Sequence, residues 1–323
     1  MSGIPQHIPK IGALYGGPAA QVPTSWCKQL YQFYVDLAAR GACTLHPLGW
    51  MTLTPGMRVS WDLQPIDVHC QSPGPLPEEV RQHGFDGLIT LNIWSDRYVA
   101  AIAELGVPLV TLDFQPVGVP CDSVIFDGLS GGKHLGQLLA KTGHRQVMFV
   151  SQYSHDTTAR KGAENHIEDD ASVDRRLGVL SGLQGSPATL WPAFPVLSGQ
   201  NRKEVPKRLE RCLQAAGCMP DAVTGHDAEL VAFMRPLFEA LGAKIPSQIS
   251  LAAFAAGPSP AGAANQISHM SYSWLEMAEA GWKLLSARMQ DRSARQAPPR
   301  VERLQGRYVD RGTVCDRRGI LSA

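Results

Sequence analysis

Asp113 is the residue whose type and position most directly suggest chemistry. It follows the apolar run Val107–Leu112, which is typical of a buried strand, so its carboxylate lies at the carboxyl end of that strand. Ligands of parallel α/β sheets bind at this edge, where a carboxylate could accept hydrogen bonds from the hydroxyl groups of a ligand. The same side chain could instead cap the turn that follows the strand. The sequence leaves both interpretations open.

The motifs of known catalytic and cofactor sites do not occur in the sequence. Asp127–His134 resembles a phosphate-binding loop, but an aspartate replaces the first glycine and a histidine replaces the hydroxyl residue. No GxSxG, HExxH or GxGxxG motif is present. His144, His155 and His166 are too widely spaced for a zinc site. We therefore expect no enzyme, no metal and no cofactor.

Three short apolar runs alternate with segments of helical spacing, and this alternation predicts the fold class. The runs are Gly87–Leu91, Val107–Leu112 and Gln146–Val150, and the helical segments are Ser95–Leu105 and Gly131–Lys141. Parallel strands are buried on both faces and therefore form unbroken apolar runs. Their alternation with helices indicates βαβ units wrapped around a parallel sheet.

The same alternation covers most of the chain and predicts two lobes, because a single core stops growing at roughly 250–300 residues and this chain has 323. We predict an α/β fold of two doubly wound parallel-sheet lobes. Further strands are predicted at Ile11–Tyr15, Cys43–His46, Ala188–Trp191, Asp221–Thr224 and Ile249–Phe254, and Val301–Val309 is predicted to close the chain as an extended segment. Further helices are predicted at Trp26–Leu37, Pro77–His83, Val173–Leu183, Val205–Ala216, Ala228–Leu241 and Trp274–Met289. Loops are predicted at 47–77 and 151–170.

Composition excludes several classes of protein. The formal net charge is +1, so the chain has no global basic field for nucleic acid. It has no apolar run long enough to cross a membrane, and its first ten residues lack the apolar segment of a secretory signal. Its seven cysteines are scattered and odd in number, which favours free, packed thiols over a disulfide framework. We expect a cytoplasmic protein without a membrane partner.

Seven stretches of the sequence follow one another in the order and spacing of a known family. Gly106–Asp113 is similar to its run G-[IV]-P-V-V-x-[IL]-D, and Asp174–Val179 is similar to [ED]-R-x-x-G-F. The others are Asp86–Ile89, Ser123–Asp127 with Gly131–Leu139 and Thr142–Arg145, Asp221–Ala228, Leu241–Leu251 and Tyr272–Leu285. From about residue 8 to residue 314, the chain resembles the effector-binding domain of the LacI/GalR transcription regulators, which has the type I periplasmic-binding-protein fold.

The resemblance implies two hinged lobes with a ligand cleft between them. The N-terminal lobe would comprise residues 8–126 and 273–300, and the C-terminal lobe residues 127–272 and 301–315, with tails at 1–7 and 316–323. Helices Trp26–Leu37 and Tyr98–Leu105 would form the surface of a homodimer. The implied ligand-binding residues are Tyr15, Trp26, Asn92, Asp113, Arg175, Phe194, His226 and Tyr272. The aromatic rings among them could stack on a sugar or a base, or pack in the core.

Arg175 stands three residues before Gly178, where the family has its effector-binding arginine. Its guanidinium offers a fork of donors that suits paired hydroxyls, a carboxylate or a phosphate. It could equally be a surface arginine, and Arg176 takes the role if the alignment shifts by one residue. His226 and Asp227 replace an Asn-Asp pair of the family. The imidazole could donate to a ligand and make binding pH-dependent, or be a loop histidine, whereas Asp227 is predicted to cap the following helix.

Two departures from the family narrow the interpretation. Ala255 replaces an aspartate that commonly holds sugar hydroxyls, which argues against an ordinary unmodified pyranose. Only about ten residues precede the first predicted strand, so we expect the DNA-binding headpiece, of LacI or GntR type, to be absent from this chain.

The resulting prediction is a sensor that binds a sugar or another small polar effector, needs no cofactor, forms a homodimer and contacts DNA only through the missing headpiece. The alternative is a solute-binding protein of a sugar transport system. An α/β enzyme has no motif in its support.

Overall fold

The computed structural model describes residues 7–15, 28–49, 80–81, 84–91, 93, 96–155, 166–168, 170–197, 204–257 and 262–318. The described residues form two compact units. Unit 1 contains those up to Phe126 together with Ser273–Leu304, and unit 2 contains Asp127–Tyr272 and those from Gln305 onward. The described chain therefore passes from one unit to the other at three places.

The described strands, in chain order, are β1 (Lys10–Tyr15), β2 (Thr44–Gly49), β3 (Gly87–Leu91), β4 (Leu109–Leu112), β5 (Asp122–Phe126), β6 (Gln146–His155), β7 (His166–Glu168), β8 (Thr189–Leu190), β9 (Phe194–Leu197), β10 (Ala222–Gly225), β11 (Ser250–Ala256), β12 (Ser268–Tyr272), β13 (Val301–Leu304) and β14 (Arg307–Val309). The described α-helices are α1 (Lys28–Ala39), α2 (Asp96–Ala103), α3 (Gly128–Lys141), α4 (Asp170–Leu183), α5 (Val205–Ala216), α6 (Ala228–Ala240), α7 (Trp274–Gln290) and α8 (Arg292–Gln296).

Unit 1 is built on a parallel sheet whose described strands have the order β13-β5-β4-β3-β1-β2. β3 is buried along its whole length, as expected for an unbroken apolar run. α7 approaches this sheet closely, because a Cβ on Gly281 would lie 2.6 Å from Cδ2 of Leu112. The hydroxyl of Tyr34 donates a hydrogen bond to the carbonyl oxygen of Ala278 at 3.0 Å, which ties α1 to α7.

A buried ion pair fixes the segment that leads from α7 to β13. Nη2 of Arg288 donates to Oδ1 of Asp122 at 2.6 Å, and its Nε donates to Oδ2 at 2.8 Å. The same guanidinium donates to the carbonyl oxygens of Ala297 and Pro298 at 2.5 and 2.8 Å. The Asp122 carboxylate is only 2% exposed, and its hydrogen bonds with Arg288 raise the pKa of the guanidinium. These hydrogen bonds of Arg288, called the Arg288 clamp below, hold β13 beside β5.

Unit 2 is built on a second sheet, in the order β14-β12-β11-β10-β6-β7, with β8 and β9 also paired to β6. β6, β10, β11 and β12 are parallel neighbours, whereas β7 and β14 are antiparallel at the two ends. Phe149, Phe238 and Phe254 are among its fully buried side chains. The carboxyl ends of the parallel strands share one edge of this sheet, which is where a ligand site is expected.

The predicted α/β fold with two largely parallel sheets is confirmed, but its boundary near the C-terminus is wrong in one place. Residues 301–315 were expected in the C-terminal lobe, whereas Val301–Leu304 form β13 and pair with β5 in unit 1. The predicted extended segment Val301–Val309 forms two strands, which belong to different units. The alternating pattern of this segment gives no sign of the break at residues 305 and 306. The break follows from the Arg288 clamp and from the pairing of β13 with β5.

Other boundaries differ for local reasons. β6 continues to His155, beyond the predicted end at Val150, because its last residues pair with β7 inside the predicted loop 151–170. α3 begins at Gly128 and α4 at Asp170, three residues before each predicted start. The predicted loop 47–77 falls outside the described residues from residue 50 onward. The helix predicted at 77–83 does so except for Val80 and Arg81, which are helical.

Candidate functional site

The side chains of Arg175, His226 and Phe254 meet at one edge of the sheet in unit 2. His226 follows β10, Phe254 lies near the carboxyl end of β11, and Arg175 reaches both from α4. Nη1 of Arg175 donates a hydrogen bond to the backbone oxygen of His226 at 2.6 Å. Its Cζ lies 5.1 Å from the centroid of the Phe254 ring, within the range of a cation–π contact. These contacts fix the guanidinium at the edge where parallel sheets bind ligands.

Two donors hold the imidazole of His226 at its Nδ1 atom. Oγ of Ser172 lies 2.8 Å from Nδ1, and Nη1 of Arg175 lies 3.3 Å from it. The Ser172 oxygen also accepts a hydrogen bond from the backbone N–H of Gln152 at 3.1 Å. A guanidinium can only donate, so Nδ1 is the acceptor and the hydrogen-bond network assigns the ring proton to Nε2.

The backbones of α3 and α4 are in contact, and this contact places Arg175. Glycines recur every four residues on both helices, at 128, 132 and 136 on α3 and at 178 and 182 on α4. A Cβ on Gly132 would lie 2.2 Å from the carbonyl oxygen of Arg175, and a Cβ on Gly178 would lie 2.2 Å from that of Leu129. A Cβ on Gly128 would lie 3.2 Å from Cγ of Arg175. Larger residues here would displace α4 and the arginine with it.

One edge of the Arg175 guanidinium has no partner within the described part of the chain. Its Nε is buried and makes no hydrogen bond there, and its Nη2 makes none with those residues either. A buried donor left unsatisfied costs about 1–3 kcal/mol. An acceptor that reached this edge would recover that energy. The edge carries two N–H donors in the geometry that binds paired oxygen atoms.

Tyr272 ends β12 near Arg175, and its hydroxyl donates to the backbone. The side chain is 4% exposed, and the hydroxyl donates to the carbonyl oxygen of Asp127 at 2.9 Å. Burial raises the pKa of Tyr272 to about 12, although the charge of Arg175 opposes the rise. Oδ1 of Asp127 accepts from the N–H of Ser130 at 2.9 Å, and Oδ2 accepts from Nε2 of Gln305 at 2.7 Å. Asp127 thus links Tyr272 and Gln305, and all three residues border passages between the units.

Asp227 caps a helix, as predicted. Its Oδ1 accepts a hydrogen bond from the N–H of Leu230 at 2.7 Å, at the start of α6. Ala255, near the end of β11, is partly buried against the apolar core of unit 2. The carboxylates of Asp127 and Asp227 are therefore both engaged by helix N–H groups, and β11 brings no acidic group to this edge.

Asp113, in unit 1, follows β4 in an unusual backbone conformation. Its φ is 60°, in the left-handed region that aspartate adopts more readily than most residues. Its N–H donates to the carbonyl oxygen of Val124 at 2.8 Å, and Oγ1 of Thr111 donates to that of Phe114 at 2.6 Å, closing the turn. Backbone strain of this kind is frequent at functional sites. A ligand-binding role for Asp113 stays a prediction.

The other predicted site residues lie at separate places in the sequence. Tyr15 is the last residue of β1, and Trp26 and Asn92 lie outside the described residues. Phe194 is only 3% exposed and belongs to the apolar core of unit 2, where Cζ of Arg208 lies 5.9 Å from its ring centroid. Of the predicted set, the structure brings together Arg175, His226 and Tyr272.

Three residues of the site were not predicted as such, although each leaves a trace in the sequence. Ser172 stands three residues before Arg175, which puts both on one face of a helix. Phe254 ends a predicted apolar strand, the place where ligand sites of parallel sheets begin. Asp127 precedes a helix, a position where aspartate commonly accepts from helix N–H groups.

Among the residues that the structure describes, no group of three or more His, Cys, Asp or Glu side chains could hold a metal ion. None of the described helices is long and apolar enough to cross a membrane. Five described cysteines, at 43, 121, 212, 218 and 315, are free thiols.

Comparison with known proteins finds one matching family and many similar structures. The family model of the periplasmic binding protein-like domain matches residues 137–314, more than half of the chain. No curated protein matches the sequence. The similar solved structures named below share 12–16% of their residues with this chain, so they show the fold alone.

Three of these structures illustrate the similarity. A complex of the transcriptional regulator CelR with cellobiose has a TM-score of 0.63 and 16% identity, over 96% of this chain and 86% of that chain. A LacI family transcriptional regulator from Enterococcus faecium with bound ribose has a TM-score of 0.57 and 16% identity, over 95% and 99%. The transcription regulator CcpA of Lactococcus lactis has a TM-score of 0.64 and 12% identity, over 95% and 100%.

Proposed function

The chain belongs to the periplasmic binding protein-like domain family, and from this premise we propose that it is the ligand-sensing part of a bacterial transcription regulator of the LacI/GalR type. The similar structures named above are transcription regulators, two of them with a bound sugar. A sugar or another small polar molecule is accordingly the proposed effector. DNA would be bound by a headpiece domain, in the cytoplasm, and the ligand-sensing domain itself would catalyse no reaction.

The observation that carries this proposal is the immobilised guanidinium of Arg175. It is fixed by the backbone oxygen of His226 and the ring of Phe254, and its free edge lacks an acceptor among the described residues. A side chain held in this way suits ligand binding, because little conformational entropy is lost when the ligand arrives. Asp113, Tyr15, Trp26 and Asn92 stay predicted ligand-binding residues.

Signalling would follow from differential affinity, since a ligand shifts an equilibrium only by as much as it prefers one state. We propose that the effector favours one of two arrangements of a homodimer. A coupling free energy of about 1–3 kcal/mol would change operator affinity by roughly 5- to 150-fold. Sedimentation equilibrium of the chain is expected to show a dimer, and a strict monomer at high concentration would contradict this part of the proposal.

Ligand binding can be tested by thermal shift with a panel of sugars, sugar phosphates and purines, followed by calorimetry on any hit. Arg175→Ala is expected to abolish binding while the melting temperature stays nearly unchanged. The change removes a cation–π contact and a hydrogen bond, but it also removes the cost of an unsatisfied buried N–H, and these terms are of similar size. Arg211→Ala, on an exposed part of α5, is the control. Undiminished affinity in Arg175→Ala would refute the site.

A further inference from the structure

We propose that the effector carries an oxyanion, a carboxylate or a phosphate, which binds the free edge of the Arg175 guanidinium. This inference rests on the proposed sensor function and narrows its ligand from any small polar molecule to an anionic one. A sugar acid and a sugar phosphate share this chemistry.

The guanidinium of Arg175 has one engaged side and one unengaged side. Nη1 is engaged by the backbone oxygen of His226, whereas Nε and Nη2 have no partner among the described residues. Nε and Nη2 form the side of the guanidinium whose two N–H bonds run parallel. That pair matches the two oxygens of a carboxylate or phosphate and gives a bidentate, charge-assisted interaction.

The charge of Arg175 is not balanced by an ion pair within the described part of the chain. Arg175 forms no ion pair with any residue that the structure describes. The neighbouring carboxylates of Asp127 and Asp227 cap α3 and α6. The positive charge of Arg175 therefore lacks a paired protein anion in this part of the chain, and an anionic ligand would supply one.

The hydrogen-bond donors and acceptors of the site also favour an anionic ligand. A neutral sugar must donate several hydrogen bonds, and sites for such sugars need acceptors to receive them. β11 ends in Ala255 and Ala256, whose side chains accept none. The Nδ1 acceptor of His226 is already occupied by Ser172. Among the side chains of the site that the structure describes in unit 2, donors thus outnumber open acceptors, which favours a ligand rich in acceptor oxygens.

The test compares ligands that differ only in the anionic group. D-glucose, D-glucuronate and D-glucose 6-phosphate are titrated calorimetrically into the chain, with the matching galactose and mannose series. We expect at least one anionic member to bind about 100-fold more tightly than its neutral parent, as two charge-assisted hydrogen bonds would give. The identity of that member distinguishes a sugar acid from a sugar phosphate.

Variants and a spectroscopic signal identify the residue responsible. Arg175→Gln should abolish the preference for the anion, and Arg175→Lys should keep part of it, because an ammonium retains the charge but not the fork. Arg211→Gln is the matched control. In 15N-labelled protein, the Nε–H resonance that disappears in Arg175→Lys should shift when the anionic ligand is added.

Two results would overturn the inference. One is that neutral sugars bind as tightly as their anionic partners, which would leave the proposed sensor function intact. The other is that no anionic member of the series shifts the Arg175 Nε–H resonance. A native melting temperature of Arg175→Gln would show that the variant used to judge the preference is folded. Failure of the sensor function itself would look different, because the protein would then be a monomer that binds none of the neutral or anionic compounds.

Discussion

Replacing Gly132 by alanine is the sharpest test of the packing that positions Arg175. The added Cβ would lie 2.2 Å from the carbonyl oxygen of Arg175 and 2.9 Å from the N of Val179, whereas ordinary contact begins at 3.4 Å. Both neighbours are backbone atoms of α4 and cannot rotate away. The two helices must therefore separate by roughly 1 Å, which is the kind of overpacking that destabilises a protein core.

The expected magnitude follows from two opposing effects. Overpacking costs about 1–3 kcal/mol, and backbone neighbours put this site at the upper end. Alanine gains about 1 kcal/mol over glycine in a helix. The net loss should be about 2 kcal/mol, which corresponds to a fall in melting temperature of about 4–8 °C for a unit of this size. Ligand affinity should fall as well, because the displaced backbone is that of Arg175 itself.

The assay is urea unfolding of Gly132→Ala, Gly178→Ala and the double variant. A Cβ on Gly178 would lie 2.9 Å from Cα of Gly132, so the two changes strain the same contact and the double variant should cost less than the sum. Ser181→Ala is the control, because Ser181 lies on α4 and already has a Cβ. Its free energy of unfolding should stay within about 0.5 kcal/mol of that of the parent. If Gly132→Ala were more stable than the parent, helix propensity alone would determine the change in stability. The backbone contact between α3 and α4 would then be refuted.

Other predictions concern the buried polar groups. Arg288→Ala should destabilise the protein by about 3–5 kcal/mol in urea unfolding, because it leaves the Asp122 carboxylate buried without its cation. Burial lowers the pKa of His144 from 6.5, so stability should be full above that pH and fall below it as the unfolded chain takes up the proton, with a flatter profile in His144→Gln. Burial raises the pKa of the Cys121 thiol to about 11, so iodoacetamide at neutral pH should label the exposed Cys218 and spare Cys121 until the protein unfolds.

Each of these predictions has a control and an outcome that contradicts it. Arg318→Ala removes an exposed ion pair with Asp316 and should change stability little, and an Arg288→Ala loss of similar size would show that the clamp is dispensable. His134→Gln alters an exposed histidine and is the control for His144→Gln. An identical dependence of stability on pH in His144→Gln and the parent would contradict the role assigned to His144. Native labelling of Cys121 at the rate of Cys218 would contradict its burial.

Sequence reasoning predicted the sheets better than their edges. Buried strands such as β3 show as unbroken apolar runs because both of their faces are covered. β13 is half exposed, with an alternating pattern that fits any edge, and the bonds that decide its unit join Arg288 to Asp122, a strand residue far away in the sequence. β6 extends past its apolar run because β7 pairs with its polar end. Such tertiary choices leave no local signal.

The same limit applies to the candidate site. Arg175 and His226 could be placed through the resemblance to a family, and Asp227 through its position before a helix. Ser172 could not, because its role depends on a hydrogen bond to His226, more than fifty positions along the chain. Tyr272 was predicted as a ligand contact, yet its hydroxyl is bonded to the backbone of Asp127, which an aromatic residue at a strand end does not reveal.

The interrupted order of unit 1 has a consequence for synthesis on the ribosome. Its first five strands are complete at Phe126, but α7 and β13 follow only after residue 272. At about 5–20 residues per second, the face that α7 will cover waits roughly 7–30 s for it. Leu112 and the backbone at Gly87, which later meet α7 through Gly281 and Leu285, are uncovered during that interval. A fragment that stops at residue 272 would keep this surface uncovered permanently, so it should be retained by chaperones rather than released as a folded half.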